Sequence, residues 1–283
     1  MYHSVRDLID QATQRGVTIG TVVLENEMAF TEKTAEEVRS ELRRRYGIMS
    51  ESIVRALNEP QHMVLELISG QSKKQNDYTA AGNTLCGELL GRIMSRALSA
   101  CEVNASMGRI CAAPTAGSCG IVPAVVSEIA RARAVSEEVL MDALLTACGV
   151  GAVITRNATV AGAEGGCQAE CGTAAAMAGG SAEMVDSCVA IVLMNCMGLV
   201  CDPVAGLVQL PCSYRNASQA VNAVLSADLA LAGQNSVISA DEAIAAMYKV
   251  GRQLPPELRE TAAGGIAVTP TGKKLHKELK KMQ

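Results

Sequence analysis

The chain holds eleven cysteines in 283 residues, an odd number, and three of them have settings unlike the rest. Cys167 follows Gly165-Gly166 in GAEGGCQAECG, Cys201 opens CDPVAG, and Cys212 follows Pro211 in QLPCSYRNA. A thiolate is both nucleophile and soft-metal ligand, and a helix start favours it. Glycine and proline turns let a chain bend around a bulky group. Cys148, Cys188 and Cys196 instead lie inside apolar runs and read as small, inert hydrophobes. The separations, 34 residues from Cys167 to Cys201 and 11 from Cys201 to Cys212, match no compact zinc or ferredoxin spacing. Spacing alone therefore leaves metal ligation and packing both open.

Between Asn104 and Asn235 there is neither histidine nor lysine. A pyridoxal phosphate site needs a lysine, and the familiar metal-water hydrolases need histidines, so neither is expected in this segment. What remains is Cys, Ser, Thr, Asn, Arg and a few carboxylates, an inventory suited to a soft metal and a small anionic molecule. Glu164, Glu170 and Asp202 are the nearest acid-base candidates in sequence. Each reads equally well as a buried carboxylate that satisfies a helix N-terminus or an arginine. GGIAVTPTGKK lacks phosphate-loop spacing, and AGSCG does not meet the nucleophile-elbow pattern. The sequons at Asn104, Asn157 and Asn216 read as chance matches.

Positioning such residues falls to helices. TAEEV supplies a capping box, Thr34 with Glu37, and SADEAIAAMYKVG another, Ser239 with Glu242, with Gly251 as its expected stop. VSEEVLMDALLTACGVG predicts a helix opened by Ser136 and ending near Gly149, and CQAECGTAAAMAGGSAEMVDSCVAIVLMNCMG two buried helices with a break at Gly179 and Gly180. Only short runs such as TIGTVVL suit strands, and no strand-helix alternation or repeat period is present. The expected fold is mainly α: a compact helical domain over 1–283, with small-residue helix contacts and Gly/Pro turns around the site. Its parts are a charged helical stretch over 1–100, an apolar core over 104–235 holding 15 of the 54 charged residues, and C-terminal helices over 236–283 with five lysines from Lys273 to Lys281.

A net charge of -4 and 2% aromatic residues offer no footprint for nucleic acid or an anionic membrane surface. The uncharged run from Ser187 to Cys201 falls short of the roughly 18 residues of a spanning helix, so no membrane insertion is expected. The charged start MYHSVRDLIDQATQRG lacks the pattern of a secretory signal. A cytoplasmic chain with free thiols or metal ligands is the expectation, rather than a disulfide framework.

Longer strings narrow the reading. NASMGRICAAPTAGSCGIVPAV, AGAEGGCQAECG, MGLVCDPVAGLVQLPC and LRETAAGGIAVTPTG together resemble the iron-sulfur-dependent L-serine dehydratase family. The likeness is to its α-chain, in the form whose α and β chains are separate. It runs from ENEMAFTEKTAEEV to TPTGKKL, nearly the whole chain. The resemblance implies a 4Fe-4S cluster on three cysteines, matched here by Cys167, Cys201 and Cys212, with no pyridoxal phosphate. One iron is left open to act as a Lewis acid on the serine hydroxyl. It also implies that APTAGSCG, with Pro114, Thr115, Gly117, Ser118 and Gly120, is a substrate-side loop; the plain alternative is a Gly-Pro helix junction.

The family's Ser- and His-containing substrate motif belongs to its β portion, so the resemblance implies a β-chain partner, an oligomer and a base that the partner can supply. Cys171 and Cys119 stand where relatives often carry a small or β-branched residue. Cys171 either packs beside Cys167 or fills the open iron position. Two other readings stay in view: the same scaffold acting on threonine or cysteine, and a non-catalytic, metal-stabilised helical interaction subunit.

Overall fold

The computed structural model describes residues 1–179 and 184–282, and thirteen α-helices run through them. The N-terminal helices are α1 (Val5–Arg15), α2 (Ile19–Thr31), α3 (Ala35–Arg55), α4 (Gln71–Ala80) and α5 (Gly87–Ala105). Then come α6 (Ile121–Arg133), α7 (Glu137–Asn157), the single turn α8 (Gly162–Gly165), the short α9 (Thr173–Met177) and α10 (Val185–Cys196). The chain closes with α11 (Cys212–Leu231), α12 (Ala240–Gln253) and α13 (Pro270–Met282). Among the described residues the only extended pairing is an isolated parallel bridge between Cys201 and Arg259. The mainly α expectation holds.

The capping signals act as the sequence predicts. Thr34 and Ser239 each accept from the backbone three residues on, and Glu37 and Glu242 reach back to close both boxes. Ser136 caps α7 by accepting from the Val139 N–H, without a box.

Three local expectations are corrected. TIGTVVL is no strand: Thr18 accepts from the Thr21 N–H at 3.0 Å and starts α2, whose Ile19, Val22 and Val23 are buried. α7 continues through Gly149 to Asn157. The glycine is there because a Cβ would stand 2.5 Å from Val23 Cγ2, so its absence lets α2 lie against α7. α12 likewise passes Gly251 and ends at Gln253, since at Gly251 a Cβ would meet Gly165 Cα at 2.7 Å. In both helices a glycine that reads as a stop is a point of close approach. The break expected at Gly179 and Gly180 agrees with the end of α9 at Met177, where Ala178 is the cap and Gly179 lies outside the helix; Gly180 lies outside the described residues.

Ala174, Ala175 and Ala176 on α9 are wholly buried. With no side chain beyond Cβ they let α6, α7, α10 and α11 gather around this one short helix. The main apolar cluster extends from Val5 on α1 to Met247 on α12. By length and composition α7 would cross a bilayer, but its Leu140, Met141, Leu144, Val150 and Ile154 are buried in this core. It reads as a core helix.

Candidate metal and substrate site

Three segments far apart in sequence converge on α11. The first is the turn after α8. Cys167 leads into a π turn, Gln168–Gly172, which brings the sulfurs of Cys167 and Cys171 to 3.4 Å. Gln168, wholly buried, fixes this turn: its Nε2 donates to Gly165 O at 2.9 Å and to Met247 O, and its Oε1 accepts from the Gly198 N–H at 2.8 Å.

The second segment carries Cys201. Its N–H donates to Leu258 O at 2.8 Å, and its carbonyl accepts from the Glu260 N–H at 2.7 Å, so the loop before Gly264 is tied to the cysteine on both sides. Asp202 is buried with both oxygens engaged: Oδ1 accepts from Arg215 at 2.7 Å and Oδ2 from the Ile266 N–H at 2.8 Å. Arg215 also donates to Val200 O at 2.7 Å. It therefore joins the Cys201 loop to the start of α11, three residues after Cys212.

The third segment is the turn at Ala116–Ser118. Asn216, one helical turn after Cys212, binds both its ends: Nδ2 donates to Gly117 O at 2.7 Å and to Cys212 O at 2.9 Å, while Oδ1 accepts from the Gly120 N–H at 3.0 Å. The same Nδ2 lies 4.0 Å from Cys171 Sγ. Ser118 and Gly120 are buried, whereas Pro114, Thr115 and Gly117 keep partial exposure.

Into this frame project one thiol set and two carboxylates. Within the close sulfur pair the thiolate is favoured on Cys167, lowered first by the Cys171 S–H and then by Arg215, against burial. Burial, and then Cys167, push Cys212 up to about 12 and raise Cys201 further. The thiols thus sense one another's charge. Glu170 is raised to about 7, first by burial and then by Glu260, while Thr115 pulls the other way. Its carboxylate fits between two glycines: a Cβ on Gly117 would stand 3.1 Å from Oε1, and one on Gly162 2.7 Å from Oε2.

Ligand atoms of Glu170, Cys201 and Glu260 lie within 4.8 Å of one another. Several thiols and two carboxylates facing a single guanidinium are an electron-rich donor set that suits a cation. Of the other acid candidates, Glu164 is exposed. A separate cavity of about 670 Å³ is lined chiefly by aliphatic side chains such as Ile19, Val125 and Leu140, and none of these cysteines lines it.

The sequence assigns no site role to Gln168, Arg215 or Glu260, and Asn216 reads only as a chance sequon. The one signal was the place of Gln168 and Glu260 inside strings that carry the family resemblance, GGCQAECG and LRET; Arg215 and Asn216 lie just past the end of another, after PC.

A family model described as "Serine dehydratase alpha chain" matches residues 14–267. The chain belongs to the serine dehydratase alpha chain family. Among its relatives, the L-serine dehydratase alpha chain of Peptoniphilus asaccharolyticus is 43% identical over 99% of both chains. The probable L-serine dehydratase alpha chain of Bacillus subtilis (strain 168) is 42% identical over 99% of this chain and 95% of that one. L-serine dehydratase TdcG of Escherichia coli (strain K12) is 32% identical over 94% of this chain but only 62% of its own length. The family makes this an enzyme chain of the serine dehydratase type.

Proposed function

We propose that this chain holds a 4Fe-4S cluster on Cys167, Cys201 and Cys212 and, with a β chain, converts L-serine to pyruvate and ammonia. What supports the reading is that Arg215, three residues after Cys212, bonds Val200 O and Asp202 on either side of Cys201, and that Cys167 bears on the charge of both other thiols. Their donor chemistry fits the group: two buried sulfurs and a half-buried one that repel one another as thiolates are relieved by a soft cation. When bound, the cluster supplies an open iron that acts as a Lewis acid on the substrate hydroxyl.

The protein's part is to place and protonate. Thr115 and Gly117, both partly exposed in the 114–120 turn, take the substrate carboxylate. Ser118, whose Oγ is 3.0 Å from Thr115 Oγ1, and Gly120 support the turn from behind. Glu170, held near neutral pH between its two charge states, is the group in this chain able to exchange a proton with substrate. Asp202 has both oxygens committed to Arg215 and Ile266 and serves as an anchor. Loss of the α-proton and of water leaves aminoacrylate, which tautomerises and hydrolyses to pyruvate and ammonia.

Anaerobic reconstitution tests this. The wild-type chain should bind about four irons with matching sulfide, and Cys167→Ser, Cys201→Ser and Cys212→Ser should each lose the cluster while Cys188→Ser keeps it. Glu170→Gln should keep its iron but, with the β chain added, lose about 10²-fold or more in turnover. Equal iron in all four cysteine variants would overturn the ligand assignment. One zinc per chain without sulfide would instead support a structural metal. Release of 2-oxobutyrate or sulfide in preference to pyruvate would move the substrate to threonine or cysteine.

A further inference from the structure

The frame around Cys167 does not explain why a second sulfur lies against it. Cys171 is buried, and its Sγ is 3.4 Å from that of Cys167. The local backbone produces this closeness. In a π turn the hydrogen bonds close five residues apart rather than four, so a residue stands almost directly above the one four places earlier. Gln168–Gly172 is such a turn, and it stacks Cys171 over Cys167. Gly172 allows the turn to pack, because a Cβ there would stand 2.6 Å from Cys196 Sγ. Cys196 is itself directed to Leu193 O at 3.5 Å.

We infer that Cys167 and Cys171 are a redox pair that closes to a disulfide when the chain holds no iron, a reversible modification site that withdraws a metal ligand. The withdrawal rests on the ligand role proposed for Cys167; the pairing does not. Bonding requires the sulfurs to approach by roughly 1.4 Å, to the disulfide length of about 2.05 Å. Adjacent side chains on one turn supply that with small torsional changes.

The oxidant is a hydroperoxide. The Cys167 thiolate attacks one peroxide oxygen, the O–O bond breaks, and hydroxide leaves, giving a sulfenic acid. The Cys171 sulfur then attacks the sulfenic sulfur: the S–S bond forms, the S–O bond breaks, and the departing hydroxide takes up the proton that Cys171 gives up. Two thiols and one hydrogen peroxide become one disulfide and two waters. An added thiol reverses the bond by exchange.

The test uses the full-length, iron-free chain, reduced and then treated anaerobically with one equivalent of hydrogen peroxide. Free thiols are counted and the peptides mapped by mass. The expected result is loss of two of the eleven free thiols, with the bond inside the peptide carrying Cys167 and Cys171. Iron uptake should be abolished until a thiol reductant is added. Cys171→Ser should form no such bond, and its Cys167 should oxidise past the point that thiols can reverse. Retention of all thiols, or bonds joining Cys167 to Cys201 or Cys212, or Cys171 to Cys196, would overturn the pairing. If the bond forms but the fully reduced chain takes up no iron, the cluster reading fails and the redox pair stands.

Discussion

Cys212 and Asn216 lie one turn apart at the start of α11, and the amide of Asn216 satisfies two carbonyls and one N–H from two different segments. Asn216→Ala leaves Gly117 O and the Gly120 N–H without their partner at a wholly buried position, while Cys212 O keeps the helical N–H of residue 216. Groups of this kind cost roughly 1–3 kcal/mol each when unmet, so a loss of about 3 kcal/mol is expected from urea denaturation of the iron-free chain. Asn216→Asp, which still accepts from Gly120 but cannot donate, should fall between. A loss below about 0.5 kcal/mol would show that the turn at 116–118 does not depend on the residue. In the sequence Asn216 reads only as a chance sequon, because its partners are backbone atoms contributed by a turn nearly a hundred positions away. The cysteines were more legible: glycine and proline beside Cys167 and Cys212 mark bends whatever lies across from them. What spacing could not convey is that Arg215 and Gln168 tie those bends together, since side-chain to backbone bonds leave no periodic trace.

At the scale of elements, helix starts were legible and helix ends were not. Thr34, Ser136 and Ser239 act on N–H groups within three residues, so the sequence contains both partners. Gly149 and Gly251 answer to a second helix or turn that the local sequence does not contain. The same cause hid α2, whose β-branched residues look strand-like until α7 provides the surface that buries them. Gly251→Ala measures the effect. The added methyl would meet Gly165 Cα at 2.7 Å and Gln168 Nε2 at 3.2 Å, so α12 must move away from the turn that carries Cys167. A stability loss of about 1–3 kcal/mol is expected, despite the better helix propensity of alanine. Thermal melting reads the stability loss, and alkylation of Cys167 in the reduced chain should become faster. An unchanged or raised melting temperature would show that the contact is slack.

For the whole molecule, the relatives divide in an informative way. Those of this chain's own length are named as alpha chains, whereas the Escherichia coli relative is covered over only 62% of its length. In the longer protein one polypeptide holds both this portion and more. Here Glu170, Glu260, Arg215 and Asn216 stand beside the thiols, and Thr115 bonds Glu170. Two of these, Arg215 and Asn216, already serve the frame. The three histidines, His3, His62 and His276, lie outside the segment that carries the cysteines. Under the proposed function, a site with so few uncommitted proton-transfer groups would take another from outside, and a second chain is the natural source. The expectation is that the reconstituted chain alone binds iron yet turns over serine slowly, and that a β chain raises turnover by about 10²-fold or more, the usual contribution of a positioned acid or base. Coupled pyruvate detection during titration with the β chain should saturate at a fixed ratio of the two. Full turnover by the isolated chain would instead place every proton transfer on residues already named, with Glu170 first among them.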